Sequence, residues 1–383
     1  MYDIIIKNGL LIDPLQEIHE KKDIAISNDR IVAVESHISS EQAKKIIDAS
    51  EMIVTPGLID IHTHCSYNVV RLSIDPDSAC LKKGSTTIVD AGSIGELLFT
   101  PFKKYVIEKS KARIYALLNI ESLGMIEYCN KQPTFNDQDW TKLLIHLNEF
   151  FAPLFINIDN TLKIIKENKN IIIGIKWAHR GLKTLEFARK VADKANCLLM
   201  IENRCIPDAL NFLRKGDVLT HLYAPIRKEK SIGLLDDNGK VLPEFFKAIK
   251  KGTIMDVGHG KKSFSWNVAE KAIDQGIMPD TISTDLWTAN INGPVYDMPT
   301  TMSKFLLLGM SLDEVVKAST TKPAEILGKI GEIGTLKPGA CADVTIFKLK
   351  KGNFSFIDCK GKIRKGNKKL ITVKVIRNGI EVL

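Results

Sequence analysis

Pro56-Gly57-Leu58-Ile59-Asp60-Ile61-His62-Thr63-His64 is an apolar run that starts at a Pro-Gly turn and ends in two histidines. Side chains alternate across a strand, so His62 and His64 share one face while Thr63 takes the other. Two imidazoles one pleat apart can reach a single metal ion. An HxH pair can also be two polar residues that merely coincide, so the company it keeps decides its meaning.

Outward from this run the texture repeats. Apolar runs at 58–64, 86–90, 113–119, 171–176, 197–202, 218–221, 253–257 and 281–285 make eight candidate strands. Helical segments at 184–195, 207–214, 243–250 and 264–275 lie between them, and 312–320 and 323–327 follow the last. Strand–helix alternation predicts a parallel sheet, and eight units fit a closed (β/α)8 TIM barrel with its site at the C-terminal mouth. The interval from 119 to 171 is too long for one crossover and predicts an inserted helix around 137–150.

Both ends read as strands and turns. Runs at 3–7 and 10–12 flank Asn8-Gly9, runs at 24–26 and 30–34 flank Asn28-Asp29, and strand texture returns at 342–347, 371–377 and 380–383. Neither end is long enough for a core of its own. The two are therefore expected to pair, with residues 1–54 plus 335–383 forming a small β-sandwich domain and 55–334 forming the barrel.

The predicted strand ends carry the chemistry. Lys176 closes the fourth run, in Gly174-Ile175-Lys176. A lysine there either snorkels to the rim or is desolvated enough to react with carbon dioxide. The resulting carbamate would be an anionic, two-oxygen ligand able to bridge two metals. Glu202 closes the fifth run, His221 the sixth and Asp285 the eighth. Singly each could be a loop-edge residue; with His62 and His64 they form one constellation. His259 and Tyr296, in the loops after runs seven and eight, and Asn119, at the end of run three, are candidates for substrate binding.

This constellation resembles the metal site of the amidohydrolase superfamily, over nearly the whole chain. The deacetylase or dihydroorotase-like branch is the nearer likeness, carried by 56–64, by Thr87-Ile88-Val89-Asp90-Ala91-Gly92-Ser93 and by Asp256-Val257-Gly258-His259-Gly260. Ile282-Ser283-Thr284-Asp285-Leu286 and the stretch from Gly293 to Met302 complete it. The resemblance implies hydrolysis of an amide, ester or cyclic amide of a small molecule by metal-activated water. Zinc is implied, as one or two ions, with Mn(II) or Fe(II) as alternatives. In the implied ligand set His62 and His64 hold the inner ion, Lys176 bridges as N6-carboxylysine, and Glu202 with His221 hold the outer one. Asp285 is implied as ligand and as general base and acid. Deacetylation is the first expectation and ring-opening of a cyclic amide the second. A metal-depleted pseudoenzyme of the same fold is the third.

Glu202 departs from the family pattern, which has a histidine at the end of strand five. A carboxylate can ligate zinc but adds negative charge, which favours harder metals. The other reading is a rim glutamate with a weak second metal. His179, three residues past Lys176, is the residue that could compensate.

Composition narrows the classes. No apolar run nears the roughly 20 residues of a membrane span. Met1 leads directly into Asp3-Ile4-Ile5-Ile6-Lys7, with no signal-peptide pattern. The seven cysteines form no CxxC pair. A cytoplasmic protein with reduced thiols is expected. The charge of +9 owes much to Lys348, Lys350, Lys351, Lys360, Lys362, Arg364, Lys365, Lys368 and Lys369, spaced as in an exposed hairpin. Nothing there matches a nucleic-acid-binding motif. The expected partner is a small-molecule substrate, with no nucleic acid and no membrane, and a homo-oligomer is left open.

Overall fold

A computed structural model describes residues 1–125, 155–178, 180–225 and 233–383. Among these, the chain opens with β1 (Tyr2–Lys7), β2 (Leu10–Asp13), β3 (Ile18–Lys21), β4 (Asp23–Ser27), β5 (Arg30–Glu35), β6 (Ala43–Asp48) and β7 (Ile53–Pro56). The parallel strands follow: β8 (Leu58–Thr63), β9 (Ser85–Ala91), β10 (Arg113–Asn119), β11 (Ile172–Trp177), β12 (Leu198–Glu202), β13 (Val218–Thr220) and β14 (Ile254–Met255). The last strands are β15 (Val344–Ile357), β16 (Ile363–Arg377) and β17 (Ile380–Glu381).

Strands β8 to β14 lie side by side in chain order. An eighth segment, residues 281–286, closes the ring with few ladder bonds. It bridges Asp256 to Thr281 on one side and Thr63 to Leu286 on the other, both in the parallel sense. Val257 N donates to Thr281 O at 3.0 Å, and His64 N donates to Leu286 O at 3.0 Å. The (β/α)8 barrel read from the alternation is the observed architecture. Helices Leu182–Ala195, Pro243–Lys251 and Trp266–Ile273 follow their strands as expected. The expected helix at 207–214 is a short 3-10 turn, Asp208–Phe212. The helix expected around 137–150 lies outside the described residues.

The two ends of the chain share a sheet. Its order is β17-β16-β15-β7-β2-β3, in which C-terminal β15 pairs antiparallel with N-terminal β7. A second sheet, β5-β4-β1-β6, packs against it. Ile4, Ile6, Ile24, Ile26 and Ile31 from one end and Val344, Ile346 and Ile376 from the other make one buried cluster. Alternation explains the layering, because Ile5 turns to the opposite face of β1, against Ala25 and Ile38.

The C-terminal hairpin is much longer than its apolar residues foretold. β15 and β16 continue past the sandwich and lie on the barrel helices. Phe356 and Leu370 are buried there, and Trp266 Nε1 donates to Phe356 O at 3.3 Å. A register shift between Lys351 and Phe354 absorbs the Gly352-Asn353 interruption. Lys350 faces Lys369 and Lys351 faces Lys368 across the ladder. No helix among the described residues is long and apolar enough to cross a membrane.

Candidate active site

Five barrel segments deliver titratable side chains to the C-terminal mouth. On β8, Ile59 and Ile61 pack in one buried cluster with Val89, Leu117 and Met200, and a register shift between Asp60 and Thr63 interrupts the alternation beside His62. His62, His221 and Asp285 each offer an atom within 4.8 Å of the others, and all three are buried. His64 Nε2 lies 3.0 Å from Asp285 Oδ1, and His221 Nε2 lies 4.0 Å from both Asp285 Oδ2 and Glu202 Oε1. Lys176 is fully buried, its Nζ 3.3 Å from His62 Nε2 and 3.3 Å from Met200 Sδ. All six residues expected as ligands are in this region. His62 converges with His221 and Asp285, and His64 approaches the centre beside Asp285.

The ring nitrogens facing away from the centre are occupied. His62 Nδ1 is 2.8 Å from Thr220 Oγ1, which lies 2.7 Å from Asp256 Oδ2. His64 Nδ1 is 2.8 Å from Ser93 Oγ, and His221 Nδ1 donates to Gly258 O at 2.7 Å. This leaves Nε2 of His221 with a lone pair facing the cluster, the form a metal needs. Burial first, against the pull of Asp285 and Glu202, lowers the His221 pKa and favours its neutral state. Burial also lowers the Lys176 pKa, opposed by Glu202, Asp285 and Asp256. A neutral amine among these groups is the form that carbamylation requires.

Backbone strain marks the same place. His221 at φ +62 and Asp285 at φ +48 are both left-handed. Such non-glycine residues cost about 1–3 kcal/mol each and persist where the surroundings over-determine them. Gly258 is required for a related reason: a Cβ there would strike Thr220 Oγ1 and lie 2.8 Å from His221 Nδ1.

Three carboxylates that the sequence reading left without a role hold this frame. Asp256 accepts from the hydroxyls of Thr220, Ser283 and Thr281, each at 2.7 Å. Asp60 accepts from Thr284 Oγ1 at 2.5 Å and Thr284 N at 3.1 Å, tying the eighth segment to β8. Burial pushes the Asp60 carboxyl up to about 7. Asp90 accepts from the backbone N–H of Cys65, Ser66 and Ser93 at 2.8–3.1 Å. The signal for them was present: each aspartate lies inside a motif already quoted, with Ser or Thr partners at neighbouring strand ends.

The three candidates for substrate binding differ in exposure and in partners. His259 is fully buried, with Lys304 Nζ 2.6 Å from Nε2 and Gly260 O 3.0 Å from Nδ1. Asn119 donates to Gly92 O and accepts from Glu121 N, both at 3.0 Å, so its amide is engaged locally. Tyr296 is exposed, at φ +68. His179 lies outside the described residues.

Comparison with known proteins fits this geometry. A deacetylase of Agrobacterium fabrum is 33% identical over 357 residues, covering 89% of this chain and 82% of the relative. The amidohydrolase family model matches residues 247–382. The chain belongs to the amidohydrolase family. This amidohydrolase is a hydrolase of carbon–nitrogen bonds, and its His62, His221 and Asp285 group could hold a divalent metal ion. Among solved structures, one described as an adenine deaminase superposes with a TM-score of 0.86 at 30% identity, covering 100% of this chain and 99% of the other. One described as a dihydroorotase gives 0.84 at 29%, covering 100% and 97%.

Proposed function

We propose that this amidohydrolase removes an acetyl group from a small N- or O-acetylated compound. The observation that carries the reading is the convergence of the buried His62, His221 and Asp285 atoms within 4.8 Å, in a chain similar over most of its length to a deacetylase.

The donor set suits a divalent cation. It combines imidazole nitrogens, carboxylates and a buried amine whose near neighbours are a thioether and an imidazole. His62, His64, His221, Glu202, Asp285 and Lys176 as N6-carboxylysine would hold it, with zinc the first choice of metal. Such an ion lowers the pKa of water toward neutrality and polarises an acyl carbonyl. Asp285 takes the proton from the attacking water and returns it to the departing nitrogen or oxygen. His64 Nε2 and Asp285 Oδ1, 3.0 Å apart, would face such an ion together. The buried walls of β8 and β11 keep bulk water away from this proton transfer.

The test is acetate release from a panel of N-acetyl amino acids and O-acetyl hydroxy acids, using protein loaded with zinc. Release from at least one, abolished in Asp285→Asn, is the expected result. No release across the panel would refute deacetylation. The likeness to a dihydroorotase favours ring-opening of a cyclic amide as the second reading, so dihydroorotate belongs in the same assay.

A further inference from the structure

Lys304 lies in the helix Met298–Leu307 and is fully buried, and no step of the hydrolytic reading uses it. A buried ammonium is tolerated only when its protons are taken up. Lys304 has no carboxylate within ion-pair distance among the described residues. Instead its Nζ has His259 Nε2 at 2.6 Å, Ile357 O at 2.7 Å and Pro294 O at 2.9 Å. As an ammonium its three protons match these three acceptors. Each acceptor belongs to a different segment: the loop after β14, the loop after the eighth segment, and the far end of β15.

The imidazole passes this anchorage to the site. For His259 Nε2 to accept, the ring proton must sit on Nδ1, which faces Gly260 O at 3.0 Å. The ring stacks on Phe264, with centroids 4.6 Å apart. Gly260 N then donates to Thr284 O at 2.9 Å, and a Cβ on Gly260 would collide with Asp285 Oδ2. The hairpin end is equally fixed. Asp358 accepts from Trp266 N at 3.1 Å and from Lys360 N at 2.8 Å, while Cys359 N donates to Phe264 O at 3.0 Å.

We propose that Lys304 is a positioning residue that ties the loops after the seventh and eighth barrel segments to the C-terminal hairpin and so holds Gly260 against the Asp285 carboxylate. Only a long side chain with several donors on one atom can serve the three acceptors together. Arginine would bring a larger planar head into a fully buried place. The inference rests on Asp285 as the proton acceptor of the proposed hydrolase.

The experiment compares Lys304→Met with the wild type in the zinc-loaded protein. Amide exchange is read over 258–264, 285–297 and 356–362, alongside metal content and hydrolysis of p-nitrophenyl acetate. Faster exchange in these three segments is expected. A fall in kcat of about tenfold or more with KM held within about threefold should accompany it, since small misplacement of a reacting group acts on the chemical step. His259→Leu should behave like Lys304→Met, and the double variant should fall no further than either alone. His259→Gln, which keeps an acceptor for Nζ, should recover much of the loss. Unchanged exchange, a defect confined to thermal stability, or additive losses would overturn the proposal. Should Lys304→Met fail to fold, the two His259 variants decide the matter by the same measurements. Should the wild type hydrolyse neither this ester, nor any compound of the acetyl panel, nor dihydroorotate, the hydrolytic reading is what fails, and the exchange pattern still decides whether Lys304 clamps the loops.

Discussion

Thr220 Oγ1 lies 2.8 Å from Nδ1 of His62. The same hydroxyl is 2.7 Å from Asp256 Oδ2, and an ionised carboxylate can only accept. The hydroxyl therefore donates to Asp256 and accepts from the imidazole, which places the ring proton on Nδ1 and leaves the Nε2 lone pair facing the cluster. Thr220→Val keeps the shape and removes the relay. It should weaken metal binding about 10- to 100-fold, as loss of such an orienting partner typically does. Competition against a chelator measures this, and an unchanged affinity would show that His62 needs no relay.

Lys176 offers a second test. Its amine is fully buried at the end of β11, within 3.3 Å of His62 Nε2. As a carbamate it would supply two anionic oxygens between the ions. Lys176→Ala should then lose metal and activity together, and a short carboxylic acid should restore part of both. Normal metal content and turnover in that variant would remove the bridging role.

The thiols give a prediction independent of catalysis. Burial pushes the Cys197 thiol up to about 12 and raises Cys65 and Cys80 well above their ordinary value. A raised folded pKa means that the folded state holds its proton where the unfolded state releases it. The stabilisation is therefore complete below pH 9.0 and is lost as pH rises toward about 12 for Cys197. Native protein at pH 8 should accordingly spare these three from iodoacetamide, whereas unfolded protein should be alkylated at all of them. Peptide mass mapping reads the result, and native labelling of Cys65 or Cys80 would contradict the packing.

Most of the barrel was legible because its strands are short apolar runs ended by polar side chains. Residues 113–119 were read as a strand from that texture, and β10 spans Arg113–Asn119. The helix Met298–Leu307 has no periodic signal in the sequence, for a physical reason. Every residue from Met298 to Phe305 is buried, so it carries no amphipathic stripe. The hairpin beyond Phe347 was hidden by lysines and glycines that break alternation. His259 is a substrate-binding candidate because it sits in a mouth loop, and periodicity says nothing of a side chain's direction outside a regular element. Its partner Lys304 is 45 residues away in sequence, and only the folded chain joins them.

Glu202 is where the chain departs from the family pattern, and its placement makes the departure testable. It ends β12 and is 3% exposed, with Oε1 4.0 Å from His221 Nε2 and Oε2 3.7 Å from Arg204 Nε. Met200, two residues earlier on the same face, touches Lys176 Nζ, so the face of β12 that bears Glu202 is the one turned to the cluster. A carboxylate here reaches a metal about as well as an imidazole would, at about 2.0–2.2 Å for zinc. It differs by one negative charge, part of which Arg204 offsets. Glu202→His should therefore keep two metals per chain while moving preference toward zinc, because imidazole suits zinc and carboxylate suits harder ions. Glu202→Ala should lose one of the two, leaving the ion held by His62 and His64 largely in place. Metal content by elemental analysis, with zinc and manganese offered together, separates these outcomes. An alanine variant that keeps both metals at unchanged affinity would make Glu202 a bystander beside His221, and the outer ion would then need a different ligand from the mouth loops.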